Sequence, residues 1–443
     1  MSWYEESLVY QIYPLGLLGA PYENDGTGPV EHRLPRLASW IDHLQRLGVG
    51  CVLLNPVFES SSHGYDTRDL LTVDRRLGDM DDLRELVRTY HEAGIHVILD
   101  TVLNHVGRDF WAFRDVRERR QNSPYAGWFC IDWGGDSAFG DGFGYECWEG
   151  VPQLVRLNHG NFDLNAYCAE VISTWERELD IDGVRLDVAY CLDRGFLGYL
   201  RQICDELSAK RGQKFLMLGE TMFGDYNLWM GDGACDTVTN YEAYKGLWSS
   251  FNAANMHEVA YALERQSGPH PWDLYPTRHL LNFVDNHDVP RIATKLDDAR
   301  QLKPLYGLLF GMRGVPAVYY GSEWSIQGEK LPGDHELRPA VESPEWNDLT
   351  DWIAALARAR SGSEALVWGG YEQLAVAPRQ LVFQRTSEHE RVIVAINAAD
   401  EPATMHFDAR CGRATDLITG EGHDFGGGSE LAPLSATFWR CER

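Results

Sequence analysis

The sequence predicts an α/β protein built around an eight-stranded (β/α)8 barrel, the TIM barrel. Apolar runs of strand length alternate with segments whose apolar residues recur every three or four positions, as in right-handed βαβ units. Eight candidate strands can be counted in this alternating part of the chain, the number in a TIM barrel. Asp, Glu and His residues also stand at the ends of several strands, where such a barrel carries its reacting groups.

The candidate strands are separated by helical patterns and bounded by glycine, proline or polar residues. The predicted barrel strands are residues 8–13, 49–54, 95–100, 184–187, 215–220, 235–240, 279–285 and 317–320. The predicted helices are residues 37–47, 80–93, 166–179 and 196–209. The second strand is nearly all apolar, as expected of a parallel strand that is covered on both faces.

Two regions break this alternation. Residues 106–165 have no clear period and are rich in glycine, aspartate and aromatic residues, which predicts an ordered insertion after the third strand. From about residue 362 the pattern changes to short antiparallel strands separated by turns. The predicted domains are therefore a barrel of residues 1–105 and 166–361, an insertion of residues 106–165, and a C-terminal antiparallel β-sandwich of residues 362–443.

The composition excludes several classes of partner. The 443 residues include 66 acidic and 40 basic ones, a formal net charge of −26, so neither nucleic acid nor an anionic membrane surface is an expected partner. No apolar run is long enough to span a bilayer, and the first residues lack the pattern of a signal peptide. Nine cysteines without paired spacing are expected to be reduced thiols, which predicts a cytoplasmic location.

Charged residues at the strand ends indicate the chemistry. Residues 184–187 alternate apolar and charged side chains, so Arg185 and Asp187 lie on one face of the fourth strand. Glu220 ends the fifth strand and Asp288 follows the seventh. Three carboxylates from different strands suit glycoside hydrolysis with retention. In that chemistry Arg185 would keep a nucleophilic Asp187 ionised, and crowding of the carboxylates would raise the pKa of an acid/base.

Each strand end taken alone has a structural alternative. Arg185 and Asp187 could form an ion pair inside the barrel, and any of the other polar residues could simply cap a strand. The alternative weakens because polar residues recur at successive strand ends: residues 62–66 follow the second strand, 100–105 end the third and 285–288 end the seventh. We expect these residues, His63 included, to converge on one pocket.

Four motifs in this order are those of the α-amylase superfamily (glycoside hydrolase family thirteen), which the sequence resembles over essentially its whole length. They are Asp-x-Val-x-Asn-His at residues 100–105, Gly-x-Arg-x-Asp at 183–187, Gly-Glu at 219–220 and Asn-His-Asp at 286–288. The resemblance implies a TIM barrel, an insertion after strand three (the domain B of the family) and a C-terminal β-domain.

The resemblance implies a role for each matching residue. Asp187 would be the nucleophile, Glu220 the general acid/base and Asp288 the stabiliser of the transition state. The other matching residues would orient the nucleophile or bind the sugar next to the scissile bond: Arg185 beside Asp187, Tyr65 stacked beneath the sugar, and His105 and His287 hydrogen-bonded to its hydroxyl groups.

The resemblance also bears on calcium. Asn104 matches one calcium ligand of the family, but residues 188–191 read Val-Ala-Tyr-Cys, where many calcium-dependent members have Ala-Ala-Lys-His. The histidine that helps to hold calcium there, and the lysine on the leaving-group side, are both absent. We therefore expect no required cofactor, with Asn104 as the one candidate calcium ligand.

Residues 65–67 and 336–339 resemble the cyclomaltodextrinase, neopullulanase and oligo-1,6-glucosidase branches. In those branches an Asp after the Tyr pairs with an Arg after strand eight to hold the terminal glucose. Asp66 and Arg338 are therefore expected to form that pair, with a surface ion pair as the alternative. The first strand begins almost at once, so the amino-terminal domain of the cyclomaltodextrinases is expected to be missing, and the oligomeric state stays open.

The sequence thus predicts a retaining α-glucan hydrolase that cleaves short maltooligosaccharides or related dextrins through a covalent glycosyl-enzyme intermediate. A glucosyltransferase or a trehalose-synthase-like isomerase would use the same three carboxylates and is the main alternative. A catalytically inactive amylase-like binding subunit is disfavoured, because Asp187, Glu220 and Asp288 are all intact. The choice between α-1,4 and α-1,6 bonds and the mode of cleavage stay open.

Overall fold

The computed structural model describes residues 2–442 and contains the predicted barrel. Eight parallel strands form one sheet in the order β6-β5-β4-β3-β2-β1-β8-β7, and a bridge between Thr239 and Leu281 joins its two edges. The strands are β1 Val9–Ile12, β2 Cys51–Leu54, β3 His96–Thr101, β4 Gly183–Leu186, β5 Leu216–Gly219, β6 Thr237–Val238, β7 Leu281–Asn282 and β8 Val315–Tyr319.

Helices surround this sheet, and their apolar faces fill one continuous core against the outside of the strands. They are α1 Trp3–Glu6, α2 Pro14–Leu17, α3 Ile41–Leu47, α4 Met80–Glu92, α5 Trp111–Arg119, α6 Phe162–Leu179, α7 Arg194–Arg211, α8 Tyr241–Asn252, α9 Met256–Ser267, α10 Ile292–Lys295, α11 Leu302–Gly311, α12 Asp348–Ser361 and α13 Glu364–Trp368. No helix in residues 2–442 combines the length and the apolar character that crossing a membrane requires.

The boundaries differ from the predicted ones where local hydrogen bonds decide them. Helix α6 begins four residues earlier than predicted, because the Asn161 side chain accepts a hydrogen bond from the Leu164 amide and caps the helix there. Residues 34–40, in the region of the predicted helix 37–47, form a 3-10 helix before α3. Strands β6 and β7 are only two residues long, and the Asn240 amide continues the barrel by donating to the Leu281 carbonyl over 2.9 Å.

The insertion after β3 is ordered, as predicted. Besides α5 it contains two small antiparallel pairs, 105–107 with 154–156 and 131–132 with 144–145. Buried aromatic rings form its core, with Phe113 packed edge-on against Phe129 and Tyr145. The first pair starts at His105, directly after the third barrel strand, so the insertion is anchored at the mouth of the barrel.

The C-terminal region is antiparallel, as predicted. Its strands are β9 Gly370–Ala377, β10 Gln380–Thr386, β11 Arg391–Asn397, β12 Ala403–Met405, β13 Arg413–Asp416, β14 Gly422–Asp424, β15 Ser429–Leu431 and β16 Ser435–Cys441. A six-stranded sheet has the order β9-β10-β11-β16-β13-β14, and β12 pairs with β15 over one of its faces. Strands β14 and β15 are three residues each and flank a glycine-rich turn.

The other face of the large sheet packs on helix α11 of the barrel, and glycine allows the close approach. A Cβ atom on Gly307 would lie 2.2 Å from the Cβ atom of Ala436 in β16, and one on Gly311 would lie 2.8 Å from Val394 in β11. The apolar residues of this seam belong to the same core cluster as the barrel helices. The sheet therefore shares its core with the barrel.

Candidate active site

A cavity of about 530 Å³ opens among the loops that follow the carboxyl ends of the barrel strands. It brings together seven of the predicted site residues, which are His63, Tyr65, His105, Asp187, Glu220, Asp288 and Arg338. Its walls also contain Trp148, Glu149 and Leu154 from the insertion, and Lys330 and Asp334 from the loop after β8. Asp187, Glu220 and Asp288 thus enter the cavity from the ends of barrel strands, and other segments supply the walls.

Arg185 is the centre of the charged network beneath this cavity. Its guanidinium Nη1 lies 2.6 Å from both carboxylate oxygens of Asp100 and 3.2 Å from Asp187 Oδ1. Its Nη2 lies 2.9 Å from Glu220 Oε1. One buried cation therefore holds three carboxylates from β3, β4 and β5, an arrangement that offsets the cost of burying them.

The pairing with Asp187 agrees with the sequence prediction, but the closest partner of Arg185 is Asp100. The Asp100 carboxylate also accepts 2.8 Å hydrogen bonds from the Tyr65 hydroxyl and from Asn55 Nδ2. Asp100 ends β3, where parallel β4 places Arg185 opposite it in register. The strand-end aspartate was visible in the sequence, but its partner depends on strand order, which periodicity does not define.

Protonation of the central pair is set by burial and crowding. Burial, the neighbouring Glu220 and the other carboxylates raise the pKa of Asp187 well above its usual range, and Arg185 opposes this rise. Glu220 receives hydrogen bonds from the Val188 amide at 3.0 Å and from the Tyr241 hydroxyl at 3.3 Å. Arg185 thus favours the ionised form of Asp187, as expected from the sequence, but burial and Glu220 outweigh it.

Asp288 lies in an opposite electrostatic environment. Its carboxylate contacts His287 Nε2 at 2.9 Å and Arg338 Nη2 at 2.9 Å. Burial alone would raise its pKa, but His287 and Arg338 together hold the pKa of Asp288 well below its usual range. The site therefore combines a carboxylate whose ionised form is stabilised, Asp288, with one whose ionised form is disfavoured, Asp187.

The predicted pair of Asp66 and Arg338 is wrong for this structure. Arg338 pairs with Asp288 and, at 3.2 Å, with Asp334. Asp66 is buried and accepts hydrogen bonds from the amide and the hydroxyl of Ser62, at 3.0 and 2.6 Å. Arg338 pairs with Asp288 and Asp334 because these two carboxylates lie nearer to it than Asp66 does. The Asp66 carboxylate instead accepts its hydrogen bonds within the tight turn of residues 62–66.

Three other predicted site residues lie outside the walls of the cavity. Arg185 lies beneath it, as described, and Asn104 is buried behind His105. His287 is fully buried, with Nδ1 2.8 Å from Gln11 Nε2 and Nε2 2.5 Å from the Tyr65 hydroxyl. Because the ring nitrogens of His287 are already engaged, the predicted hydrogen bond from this histidine to a sugar hydroxyl is not what the geometry offers.

His105 has the free donor that His287 lacks. Asn104 Nδ2 lies 3.2 Å from Nδ1 of His105, whereas the buried Nε2 has no hydrogen-bond partner within residues 2–442. Burial lowers the pKa of His105 to about 3, with His63 as a further cause, so the ring is neutral and Nε2 carries its proton. The ring stacks on Trp148 of the insertion, with the centroids 5.4 Å apart.

An apolar surface with few charged groups flanks the catalytic pair on the side where many family members have a lysine. Tyr190 packs its ring against Phe223, with centroids 5.1 Å apart, and its hydroxyl lies 3.4 Å from Glu149 Oε1. Phe223 and Met222 follow β5 and are 65% and 42% exposed. Exposed apolar groups of this size beside a polar site indicate a surface for a ligand.

Asn104 is the one predicted calcium ligand, and its Oδ1 atom is buried without a hydrogen-bond partner within residues 2–442. Ca²⁺ takes six to eight oxygen ligands and usually several carboxylates, so Asn104 alone would not hold it. In the described part of the chain, the one group of three His, Cys, Asp or Glu side chains that could converge on an ion is His32, Asp79 and Asp82, where Asp79 and Asp82 form the amino-terminal cap of α4.

Several lining residues were missed by the sequence analysis. Tyr241 starts α8, Tyr22 lies in the loop after α2, and Lys330 and Asp334 lie in the loop after β8. None belongs to a motif or a periodic segment, and Trp148 was seen only as one of the insertion's many aromatic residues. Only their positions in the folded structure show that these residues line the cavity.

The barrel and the carboxylates that converge at its mouth together define the protein as a glycoside hydrolase. The family model for the catalytic domain of alpha amylase matches residues 24–368, well over half of the chain. The chain therefore belongs to the alpha-amylase family, as the motifs predicted.

Relatives of known name lie in the predicted branch. The chain is 30% identical over 447 residues to a cyclomaltodextrinase of Geobacillus thermopakistaniensis and 30% identical over 444 residues to neopullulanase 2 of Thermoactinomyces vulgaris, in each case over 95% of this chain and 74% of the relative. It also resembles the solved cyclic α-maltosyl-(1→6)-maltose hydrolase of Arthrobacter globiformis, with a TM-score of 0.83, 25% identity and 100% of both chains covered.

Proposed function

We propose that the protein is a retaining hydrolase of short α-glucans, in which Asp187 is the nucleophile and Glu220 the general acid/base. The observation that carries this proposal is the single guanidinium of Arg185 in contact with both carboxylates at the floor of the cavity. It holds the two groups side by side, where one can attack a sugar carbon while the other protonates the departing oxygen.

The reaction takes two steps. Asp187 attacks the anomeric carbon and forms an ester with it, while Glu220 gives its proton to the glycosidic oxygen as that bond breaks. Glu220, now ionised, takes a proton from water, and the resulting hydroxide displaces Asp187 and regenerates both groups. Asp288, held ionised by His287 and Arg338, stabilises the positive charge that develops on the sugar ring.

Substrate contacts follow from the unpartnered and aromatic groups of the cavity. His105 Nε2 is the donor available for a sugar hydroxyl, and Tyr65 provides a ring at the floor. The insertion and the loop after β8 bound the cavity on opposite sides. This enclosure favours short maltooligosaccharides or related dextrins, and the named activities of the relatives, cyclomaltodextrinase and neopullulanase, support the same substrate class.

Product analysis tests this function. Purified protein should release glucose or maltose from maltotriose, cyclodextrin or pullulan, and NMR spectroscopy should detect the α-anomer first, because two displacements preserve the configuration. Starch, sucrose and trehalose serve as comparison substrates. Initial release of the β-anomer, or no turnover of any α-glucan, would contradict the proposal.

A transglycosylase with the same carboxylates is the second candidate, and the apolar surface of Tyr190, Met222 and Phe223 favours it. A sugar acceptor could pack against these side chains and compete with water for the glycosyl-enzyme. Oligosaccharides longer than the substrate would then accumulate at high maltotriose concentration. If Tyr190→Ala lowers their yield without lowering glucose release, the surface acts in acceptor binding.

Location and cofactor requirement follow from residues outside the carboxylate cluster. We propose a cytoplasmic location, because all nine cysteines are free thiols and thiols persist in reducing compartments. We propose no required cofactor, because the one convergent group of three His, Cys, Asp or Glu side chains among residues 2–442 does not line the cavity. The intact carboxylates and the built cavity around them argue against an inactive binding subunit.

A further inference from the structure

Two of the nine cysteines lie in contact in the C-terminal region. Cys411 Sγ lies 2.9 Å from Cys441 Sγ. Cys441 ends β16, and the register that pairs it with Ala414 of β13 brings the loop before β13 alongside it. Closing this distance to the roughly 2.05 Å of a disulfide bond requires a movement of less than about 1 Å. Among residues 2–442, no other pair of thiols is in hydrogen-bond contact.

The dithiol is accessible, and one arginine contacts it directly. Both cysteines are half-buried and line a surface cavity of about 470 Å³, whose charged lining residues are three arginines and three glutamates: Arg391, Arg410, Arg440, Glu388, Glu390 and Glu442. Arg391 donates from Nε and Nη2 to Cys441 Sγ, at 3.3 and 3.2 Å. A guanidinium at this distance stabilises a thiolate, which is the reactive form of the side chain.

Arg391 also fixes the loop that carries Cys411. Its Nη2 group donates to the Ala409 carbonyl, two residues before that cysteine. Burial raises the pKa of Cys441 to about 11, and the contact with Cys411 adds to the rise while Arg391 opposes it. Cys441 thus rests as a thiol, in contact with the sulfur atom of Cys411.

We propose that Cys411 and Cys441 form an oxidative modification site, a dithiol that closes to a disulfide when a peroxide reaches the cavity. One thiolate attacks a peroxide oxygen, the O–O bond breaks, and a sulfenic acid and water form after proton uptake. The second thiol then attacks the sulfenic sulfur, the S–S bond forms, and hydroxide leaves and takes up the thiol proton as a second water. Two thiols are oxidised and one peroxide is reduced.

The cross-link has a defined mechanical effect. It joins the last strand to the loop before β13 and closes a long segment that includes β13 to β16. Such a link restricts the unfolded chain and therefore favours the folded sheet. Neither cysteine lines the catalytic cavity, so hydrolysis should not depend on the oxidation state of the pair.

Peptide mapping of the full-length protein tests the proposal. After treatment with hydrogen peroxide and alkylation of the remaining thiols, the first disulfide-linked peptide should join Cys411 to Cys441. The melting temperature should rise by several degrees, and dithiothreitol should reverse the rise. Cys411→Ser and Cys441→Ala should each abolish the shift, whereas Cys130→Ser, which changes a half-buried thiol in the insertion, should keep it.

Other outcomes of the peptide mapping would overturn the proposed disulfide between Cys411 and Cys441. Recovery of Cys411 and Cys441 as separate sulfinic acids, or a first disulfide between any other pair, would show that the contact is not productive. Mapping of the unmodified sequence decides this even if both variants fold poorly. Absence of α-glucan hydrolysis would leave the result unaffected, because the readout does not use the catalytic site.

Discussion

Asp187 and Glu220 carry different parts of the proposed reaction, so their amide variants should fail differently. On maltotriose, Asp187→Asn and Glu220→Gln should each lose several orders of magnitude in kcat/KM, with general acid catalysis worth about 10²–10⁴-fold. On α-maltosyl fluoride, whose leaving group needs no proton, Glu220→Gln should recover much of the first step and release a burst of fluoride. Asp187→Asn should show no burst.

Stopped-flow measurement of fluoride release distinguishes the two variants. Circular dichroism should show an unchanged fold in both, since each amide keeps the shape of the carboxylate. A burst from Asp187→Asn alone would mean that the two residues have each other's role. Equal bursts from both variants would contradict both assignments.

Burial of neutral His105 should make the protein less stable in acid. Its pKa is about 3 in the folded protein and about 6.5 in an unfolded chain, so between these values the unfolded state binds more protons. The free energy of unfolding should therefore fall as the pH drops below about 6.5, by roughly 2 kcal/mol from this residue at pH 5.

The measurement is the urea midpoint of wild type and His105→Gln at pH 7 and at pH 5. The variant should lose less stability between the two pH values than the wild type, whatever its stability at pH 7. Parallel losses would mean that His105 titrates normally in the folded protein.

At the scale of single elements, the loop after β8 controls the charge of Asp288 through Arg338. Removing the guanidinium should raise the pKa of Asp288, because burial then acts with less opposition. In Arg338→Gln the acidic limb of the kcat/KM profile should move to higher pH. Maltotriose and long glucans should be affected alike, since Asp288 faces the same sugar in either.

Asp334→Asn is the matched control for this loop. It removes the second partner of Arg338, at 3.2 Å, and leaves the contact with Asp288. Its acidic limb should stay close to that of the wild type. A selective loss on maltotriose in Arg338→Gln would instead support the contact with the terminal glucose that the sequence predicted for this arginine.

The insertion should keep its structure without calcium. Its aromatic core and two strand pairs hold it, and among residues 2–442 the one convergent group of three His, Cys, Asp or Glu side chains lies outside it. Activity on maltotriose should survive dialysis against EDTA, and the melting temperature should not change. Loss of activity that calcium restores would show that further ligands converge on Asn104 in solution.

The strand ends show what a sequence can and cannot predict. Asp187, Glu220 and Asp288 were found because motifs and strand periodicity both mark them, and all three face the cavity. The pair of Asp66 and Arg338 was wrong because the partner of an arginine depends on competing carboxylates, here Asp288 and Asp334. Such competition is decided by distances across loops that have no period.

At the scale of the whole molecule, the seam between α11 and the C-terminal sheet should determine how the two regions unfold. Gly307→Ala would place a methyl group 2.2 Å from Ala436 Cβ. Despite the better helix propensity of alanine, this overpacking should destabilise the protein by about 1–3 kcal/mol. The measurement is the calorimetric melting temperature.

Gly198→Ala in α7 is the control, and its effect on stability should have the opposite sign. A Cβ atom there meets only the Gly233 carbonyl at 3.6 Å, an ordinary contact, so the substitution should stabilise by about 0.4–1 kcal/mol. Opposite signs at the two glycines would establish the tight seam. A stabilised Gly307→Ala would mean that the sheet can move away from the helix at little cost.

The walls of the cavity come from the insertion and from the loop after β8, while Arg185 and the carboxylates beneath it come from strand ends. Such a division of labour has an evolutionary consequence. Substitutions at Trp148 or Leu154, neither of them charged, can reshape the space offered to a glucan without changing the charges around Asp187, Glu220 and Asp288. Substitutions in these loops can therefore change substrate preference during evolution while the residues at the strand ends are retained.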